Sequence, residues 1–326
     1  MNHSALRIVY MGTPDFAVAP LDKILRSGGN VVAVITAPDR PAGRGKRIRF
    51  SAVKEYLLRN RPEIPMLQPS NLKDPGFVEE LRSIAPDLQI VVAFRMLPEM
   101  VWRIPKKGTF NLHASLLPQY RGAAPINHVL INGEKETGVS TFLIDDKIDT
   151  GNILLQQSIS IGNQESAGEL HDRLMDAGAG LVLQTVEGLA AGDLQARPQD
   201  SLHGNSSDLK KAPKIFKEDC RINWNKEGMQ VFNLIRGLSP YPGAFTYLHR
   251  DQGQAILCKI FKSTFRPGEQ AHTPGTIQSD GKTFLEVSVQ GGWIQVLSIQ
   301  QEGKRKLEIR DFLAGTSLTT GPCRFS

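Results

Sequence analysis

Over the first half of the chain, short β-rich apolar runs alternate with stretches whose apolar positions recur every three to four residues. Residues 6–10, 31–36 and 88–93 read as strands, and residues 16–27, 51–60 and 76–84 as the amphipathic helices between them. Such alternation predicts right-handed βαβ units and a mostly parallel, Rossmann-like sheet. Residues 139–143 and 153–159 follow as two strands close in sequence, expected to add antiparallel, and residues 167–189 as a long helix able to cover the sheet. Residues from about 191 to 212 are polar, with Gly, Pro, Ser and Asn scattered through them, which is linker composition. Beyond them the texture changes. Residues 226–236 fit one helix, but 244–248, 255–265, 275–279, 284–289 and 294–299 are strand-like runs separated by turn residues, as in a small OB-like β-barrel. The expected organisation is an α/β domain over 1–190, a linker over 191–210 and the barrel over 211–326.

Composition narrows the class. With 326 residues, 40% hydrophobic and 22% charged, the chain can bury a sizeable core in each of two domains. No apolar run approaches the roughly 18 uncharged residues of a membrane helix, and a strand within the first dozen residues leaves no room for a signal peptide. Cys220, Cys258 and Cys323 are far apart and odd in number, so neither a disulfide framework nor a zinc site is expected, and a reducing cytoplasm fits. The net charge of +6 is unevenly placed: basic and acidic residues balance at 22 each through residue 204, then stand at 17 against 11. A basic module suits a polyanionic partner, although a solvated basic surface is as common.

A dinucleotide cofactor is disfavoured. After the first strand the chain reads Met11-Gly12-Thr13-Pro14-Asp15-Phe16. Pro14 and Asp15 stand where a pyrophosphate would need glycine, and the acid would repel it. A turn and helix start, with Thr13 or Asp15 capping, accounts for the segment.

Chemistry concentrates in Phe110-Asn111-Leu112-His113, followed by Ser115-Leu116-Leu117-Pro118 and answered by Asp149-Thr150-Gly151. Moving an acyl-level carbon onto an amine needs a group titrating near neutrality, an acid to orient it, and a donor for the developing oxyanion. His113 fits the first role, Asp149 the second, and Asn111, on the same side of a strand, the third. Asn-x-His alone is a weak signal; the strand end and the Pro-broken loop that follow strengthen it.

Together the segments FNLHASLLPQYRGAAPI, ETGVSTFLIDDKIDTGNIL, MGTPDF and APDRPAGRGKRIRF resemble methionyl-tRNA formyltransferases, and RINW, NLIRGLSPYPGAFTYL and PGTI extend the resemblance into the basic final third. That family implies a Rossmann-like formyltransferase domain followed by an OB-like tRNA-binding barrel. It implies transfer of a formyl group from 10-formyltetrahydrofolate, the co-substrate, to the amino group of initiator methionyl-tRNA, with no permanently bound cofactor and no metal. Asn111, His113 and Asp149 match its catalytic trio, and Ser115, Leu116, Leu117 and Pro118 its folate signature. Phe94, Arg95, Met96 and Leu97 match the segment whose backbone holds the pterin, with Phe94-Arg95 where the family usually has Tyr-Gly. Arg44 matches the loop arginine that meets the acceptor stem. Around it Arg40, Lys46, Arg47 and Arg49 make five basic residues in ten positions, in a segment whose two prolines and two glycines are expected to prevent regular structure.

Sugar-nucleotide formyltransferases share the trio and are the main alternative; the basic arm and basic final third favour tRNA. A glycinamide-ribonucleotide formyltransferase would leave the residues after about 205 without a role. An RNA-binding protein with a silent site is a third possibility, against which the intact trio stands. A cytoplasmic monomer with no membrane association is expected.

Overall fold

The computed structural model describes residues 3–42, 47–202, 208–250, 254–269, 272–316 and 323–326. It divides into two compact units, neither of them one continuous stretch: Met1–Gly122, Thr137–Ile159 and His171–Lys211 form the first, and Ala123–Glu136, Ser160–Leu170 and Ala212–Ser326 the second.

From the N-terminus the elements are β1 (Ile8–Gly12), α1 (Val18–Arg26), β2 (Val31–Ile35), β3 (Arg40–Ala42), β4 (Arg47–Arg49), α2 (Ala52–Asn60), β5 (Met66–Leu67), α3 (Pro75–Ser83), β6 (Leu88–Val92), α4 (Glu99–Trp102) and β7 (Thr109–His113). Then come α5 (Pro125–Ile131), β8 (Glu136–Leu143), β9 (Ile153–Ser160) and α6 (Ala167–Ala191). The first unit's sheet runs β5-β2-β1-β6-β7-β8-β9. Strands β5 through β7 are parallel, and β8 turns antiparallel to β7. Every residue of β1 and β6 is buried, the signature of a parallel sheet covered on both faces. The chain winds outward from β1 through β2 to β5, then returns to the other side of β1 as β6. Ligands of such sheets gather at the carboxyl ends of the strands beside that reversal. Gly12, at the carboxyl end of β1, is needed for close approach: a Cβ there would stand 2.5 Å from the Cβ of Ala17.

Local chemistry starts the helices. Ser51 Oγ accepts the Lys54 N–H at 3.0 Å and caps α2, while Asp74 caps α3 through the Phe77 N–H at 3.0 Å with Pro75 in the first turn. The cap expected at Thr13 or Asp15 is replaced by a tight 3₁₀ turn, Asp15–Ala17, opened by Pro14, and α1 begins without a side-chain cap.

The second unit contains α5 together with α7 (Gly228–Gly237), β10 (Ala244–His249), β11 (Ile256–Pro267), β12 (Ile277–Ser279), β13 (Leu285–Val289), β14 (Gly292–Gln301), β15 (Leu307–Glu308), α8 (Ile309–Ala314) and β16 (Arg324–Phe325). Its strands are ordered β12-β13-β14-β11-β10-β16, with β15 on β14, and the pairs are antiparallel. A bridge between Thr276 and Arg324 joins the two ends of that order, so the sheet closes nearly into an OB-like barrel. Register shifts around Lys262 in the β11–β14 pair supply the bend that closure needs. Inside, Trp224 stacks on Phe325 with ring centroids 5.7 Å apart and donates its indole N–H to Thr246 Oγ1 at 2.9 Å. Val231, Phe232 and Ile235 of α7 join Ile260, Val287 and Ile294 in the same core.

No helix among the described residues is long and apolar enough to cross a membrane. None of the three cysteines is in a disulfide, and burial pushes the Cys258 thiol up to about 11 against the opposing charge of Arg250. Its thiolate fraction at pH 8 is then on the order of 10²-fold below that of an exposed thiol. Iodoacetamide should therefore leave Cys258 unlabelled in the folded protein and label it in urea, as mass spectrometry can follow; rapid native labelling would show that the barrel core opens.

Candidate active site

Asn111 and His113 stand two residues apart at the carboxyl end of β7 and so leave the same face of the strand. His113 is buried, and its Nε2 lies 2.9 Å from the carbonyl oxygen of Tyr120. A carbonyl oxygen only accepts, so the proton of the neutral ring sits on Nε2 and the lone pair on Nδ1. Nδ1 is 3.9 Å from Asp149 Oδ2. That separation is too long for a hydrogen bond but close enough for coulombic attraction once Nδ1 takes a proton.

Two backbone conformations aim these groups. Tyr120 stands at φ 60° and Asp149 at φ 55°, a left-handed region that costs a non-glycine residue roughly 1–3 kcal/mol. Asp149 is held there in part by the Gly122 N–H, which donates to Oδ2 at 3.0 Å. Its loop is also tied by Asp145, whose Oδ1 accepts from Lys147 N at 3.1 Å and from Thr150 Oγ1 at 2.8 Å. Gly151 closes the loop where nothing larger fits, since a Cβ would fall 1.6 Å from the Leu143 carbonyl oxygen. Asn111 is half-buried, and its side-chain oxygen is buried with no hydrogen-bond partner among the described residues. An unpaired buried polar atom costs about 1–3 kcal/mol and is what a site completed by ligand displays. Half a turn about its terminal torsion presents the NH₂ group instead.

Ser115, Leu116, Leu117 and Pro118 form a braced loop in which only Leu116 is not buried. Ser115 Oγ donates to Gln119 O at 2.6 Å. Ser140 Oγ donates to Ser115 O at 2.6 Å and accepts from Leu117 N at 3.0 Å, while Gln156 Nε2 donates to Leu117 O at 2.9 Å. Leu117 packs with Phe142 and Ile153. The loop thereby carries the turn that presents the Tyr120 carbonyl to His113.

Phe94, Arg95, Met96 and Leu97 follow β6, whose Val92 pairs with Leu112 of β7, so they leave the sheet beside His113. Arg95 donates from Nη1 to Ser70 O at 2.9 Å and from Nη2 to Pro69 O. Burial, and then the charge of Arg40, push the pKa of this guanidinium down. Arg95, Met96 and Leu97 line a cleft of about 960 Å³ that also includes Lys73, Met100 and Arg103. The trio and residues 115–118 are not among the residues that line it.

The basic arm departs from expectation. Residues 40–42 and 47–49 form a two-stranded antiparallel ribbon with Pro41 opposite Ile48 and Arg40 opposite Arg49. A two-stranded ribbon has a free edge on each strand, so the N–H that proline lacks need not cost a ladder bond. Arg40 and Arg49 are exposed, and like charges set opposite each other repel. Arg44 and Lys46 lie outside the described residues; of Arg47 only the backbone is described. The ribbon leaves the carboxyl end of β2, and its base is fastened by Asp39 to Lys54 Nζ at 2.6 Å and by Gln68 Nε2 to Ala37 O at 2.7 Å.

Sequence reading missed Tyr120 and Gly122, which act through their backbones, and Ser140 and Gln156, which act on backbone groups of another loop. Only the positions of Tyr120 and Gly122 beside the SLLP signature hinted at a role.

An Asn-x-His strand end facing a loop aspartate has the groups that acyl-level transfer to an amine needs, and two family models match the chain. "Formyl transferase" matches residues 6–186, and "Formyl transferase, C-terminal domain" matches residues 214–317. A methionyl-tRNA formyltransferase of Bacteroides fragilis is 50% identical over 319 residues, 98% of each chain. One of Flavobacterium johnsoniae is 48% identical over 314 residues, 96% of this chain and 97% of its own. The chain belongs to the formyl transferase family, among the methionyl-tRNA formyltransferases. In fold it is similar to an N-formyltransferase of Helicobacter canadensis solved with folinic acid and dTDP-3-aminofucose, with a TM-score of 0.65 at 21% identity, covering 89% of this chain and 98% of that one.

Ser140→Ala removes the acceptor of the Leu117 N–H and a donor to the Ser115 carbonyl. Urea unfolding should show a loss of about 1–3 kcal/mol; unchanged stability would mean the loop is held by other contacts.

Proposed function

We propose that this protein transfers the formyl group of 10-formyltetrahydrofolate to the α-amino group of methionine on initiator tRNA, giving formylmethionyl-tRNA, as a monomer in the cytoplasm. The observation that carries this is His113, with Nε2 on the Tyr120 carbonyl and Nδ1 3.9 Å from the Asp149 carboxylate, in a chain half identical to methionyl-tRNA formyltransferases.

The amine lone pair attacks the formyl carbon, the new N–C bond forms, and the carbonyl π pair moves to oxygen. The Asn111 amide donates to that oxyanion. His113 Nδ1 accepts the proton shed by the attacking nitrogen, and Asp149 stabilises the resulting imidazolium. Collapse of the intermediate breaks the bond from carbon to N10 of the folate, and the proton passes to N10, releasing tetrahydrofolate. The donor lies along the backbone of Phe94, Arg95, Met96 and Leu97, with Ser115, Leu116, Leu117 and Pro118 as the adjoining wall. Arg40, Arg44, Lys46, Arg47 and Arg49 meet tRNA phosphates, supported by the basic excess of the final third. No step calls for a resident metal.

With 10-formyltetrahydrofolate as donor, charged initiator tRNA should be formylated, while a dTDP-amino sugar and glycinamide ribonucleotide should not. Formylation of the sugar in place of the tRNA would favour the sugar-nucleotide alternative, whose fold this chain shares. His113→Ala should lower kcat by roughly 10²–10⁴ and Asn111→Ala by about 10²–10³; near-normal turnover removes either from the mechanism. Arg44→Ala should raise KM for the tRNA and flatten the log–log salt dependence by about one unit. Its Kd for folate should stay within about twofold, and equal losses for both substrates would contradict a role in tRNA binding.

A further inference from the structure

Gln199 belongs to the polar stretch whose composition reads as a linker, yet it is only 3% exposed. Residues up to 211 cluster with the first unit, and backbone pairing explains why. Arg197 and Ile153 exchange two hydrogen bonds of 2.8 Å, and Lys210 O accepts the Tyr120 N–H at 2.7 Å. Between those fastenings the Gln199 amide is used at both ends. Nε2 donates to the backbone carbonyls of Asp149 at 2.9 Å and Gly151 at 2.8 Å. Oε1 accepts Arg121 Nε at 3.1 Å and Nη2 at 2.7 Å.

These partners are not scattered. Arg121 lies between Tyr120, whose carbonyl holds His113 Nε2, and Gly122, whose N–H holds the Asp149 carboxylate. Asp149 and Gly151 form the other loop, on which the carboxylate rides. One buried amide therefore joins the loop that orients the imidazole to the loop that carries its acid, and it grips Asp149 by the carbonyl of its own left-handed residue. An amide is the only neutral side-chain group that can give two N–H bonds in one direction and accept two in the other.

We propose that Gln199 is a positioning residue for formyl transfer, acting through Asp149 by setting the distance between its carboxylate and His113. This rests on the trio reading given above. The side chain is far too constrained to contact substrate itself, and its influence travels through the two loops.

The test uses the full-length protein with 10-formyltetrahydrofolate and charged initiator tRNA. Gln199→Met, similar in length but without the amide, should lower kcat roughly 10- to 100-fold, with both KM values within about threefold of wild type. The acid limb of the kcat–pH profile of Gln199→Met should move in the same direction as that of Asp149→Asn. In single-turnover measurements Gln199→Met should cost less than about twofold when added to Asp149→Asn, because a residue acting through another has nothing left to act on. Multiplying losses, or an unmoved pH limb, would overturn the proposal and leave Gln199 a purely structural residue. If Gln199→Met fails to fold, Gln199→Glu replaces it in every measurement: it keeps the acceptor for Arg121 but turns an oxygen toward two carbonyls. Wild-type turnover by Asp149→Asn would sink the trio reading itself. Wild-type turnover by Gln199→Met beside an inactive Asp149→Asn would sink only the positioning role.

Discussion

A neutral imidazole has one proton to place, and the carbonyl of Tyr120 places it. With Nε2 bonded to that oxygen at 2.9 Å, Nδ1 is left as the basic nitrogen, turned toward the one carboxylate of the trio. Much of the first unit's local architecture serves this bond. Tyr120 reaches it only from a left-handed backbone, and the turn holding Tyr120 is braced from below by Ser140 and Gln156 and from the side by Lys210. Strain of that kind persists only where surrounding bonds over-determine it. Here the surrounding bonds come from β8, β9 and the segment after α6.

The parallel sheet turns this local device into a site. Strands β2, β6 and β7 point the same way, so the basic ribbon, the Arg95 segment and the Asn111–His113 pair all emerge at one edge. The ribbon sets Arg40 against Arg49, a repulsion that a polyanion relieves. Arg95 is pinned to the carbonyls of Pro69 and Ser70, so it braces a cleft wall and lies under the influence of Arg40.

Legibility in the sequence followed the kind of signal each residue carries. Strand and helix alternation was readable because strands buried on both faces, such as β1 and β6, are short, mostly apolar runs, while the helices between them repeat apolar residues every three to four positions. Asn111, His113 and Asp149 stood out because their side chains are of types that can do chemistry and recur in a short motif, and the structure brings His113 Nδ1 to 3.9 Å from Asp149 Oδ2. Tyr120 and Gly122 were not, since a peptide carbonyl or N–H looks the same in every residue. Gln199 was hidden by polar neighbours, which make a buried amide indistinguishable from a linker amide by composition. The ribbon was misjudged because proline and glycine content speaks for breaks without saying how two three-residue strands can pair around them. β15, β16 and α8 are too short to establish a period.

The discontinuous units constrain how the chain can be made and cut. The first unit's sheet needs strands up to Ser160 and fastenings as late as Lys211, whereas α5, already synthesised by residue 131, belongs with a barrel that ends at residue 326. On the ribosome, α5 must wait for α7, the helix it packs on, which is complete only 106 residues later (237 − 131). A fragment ended after the first unit would keep that orphaned helix permanently, so clean dissection calls for redesigning α5 rather than choosing a better stop codon.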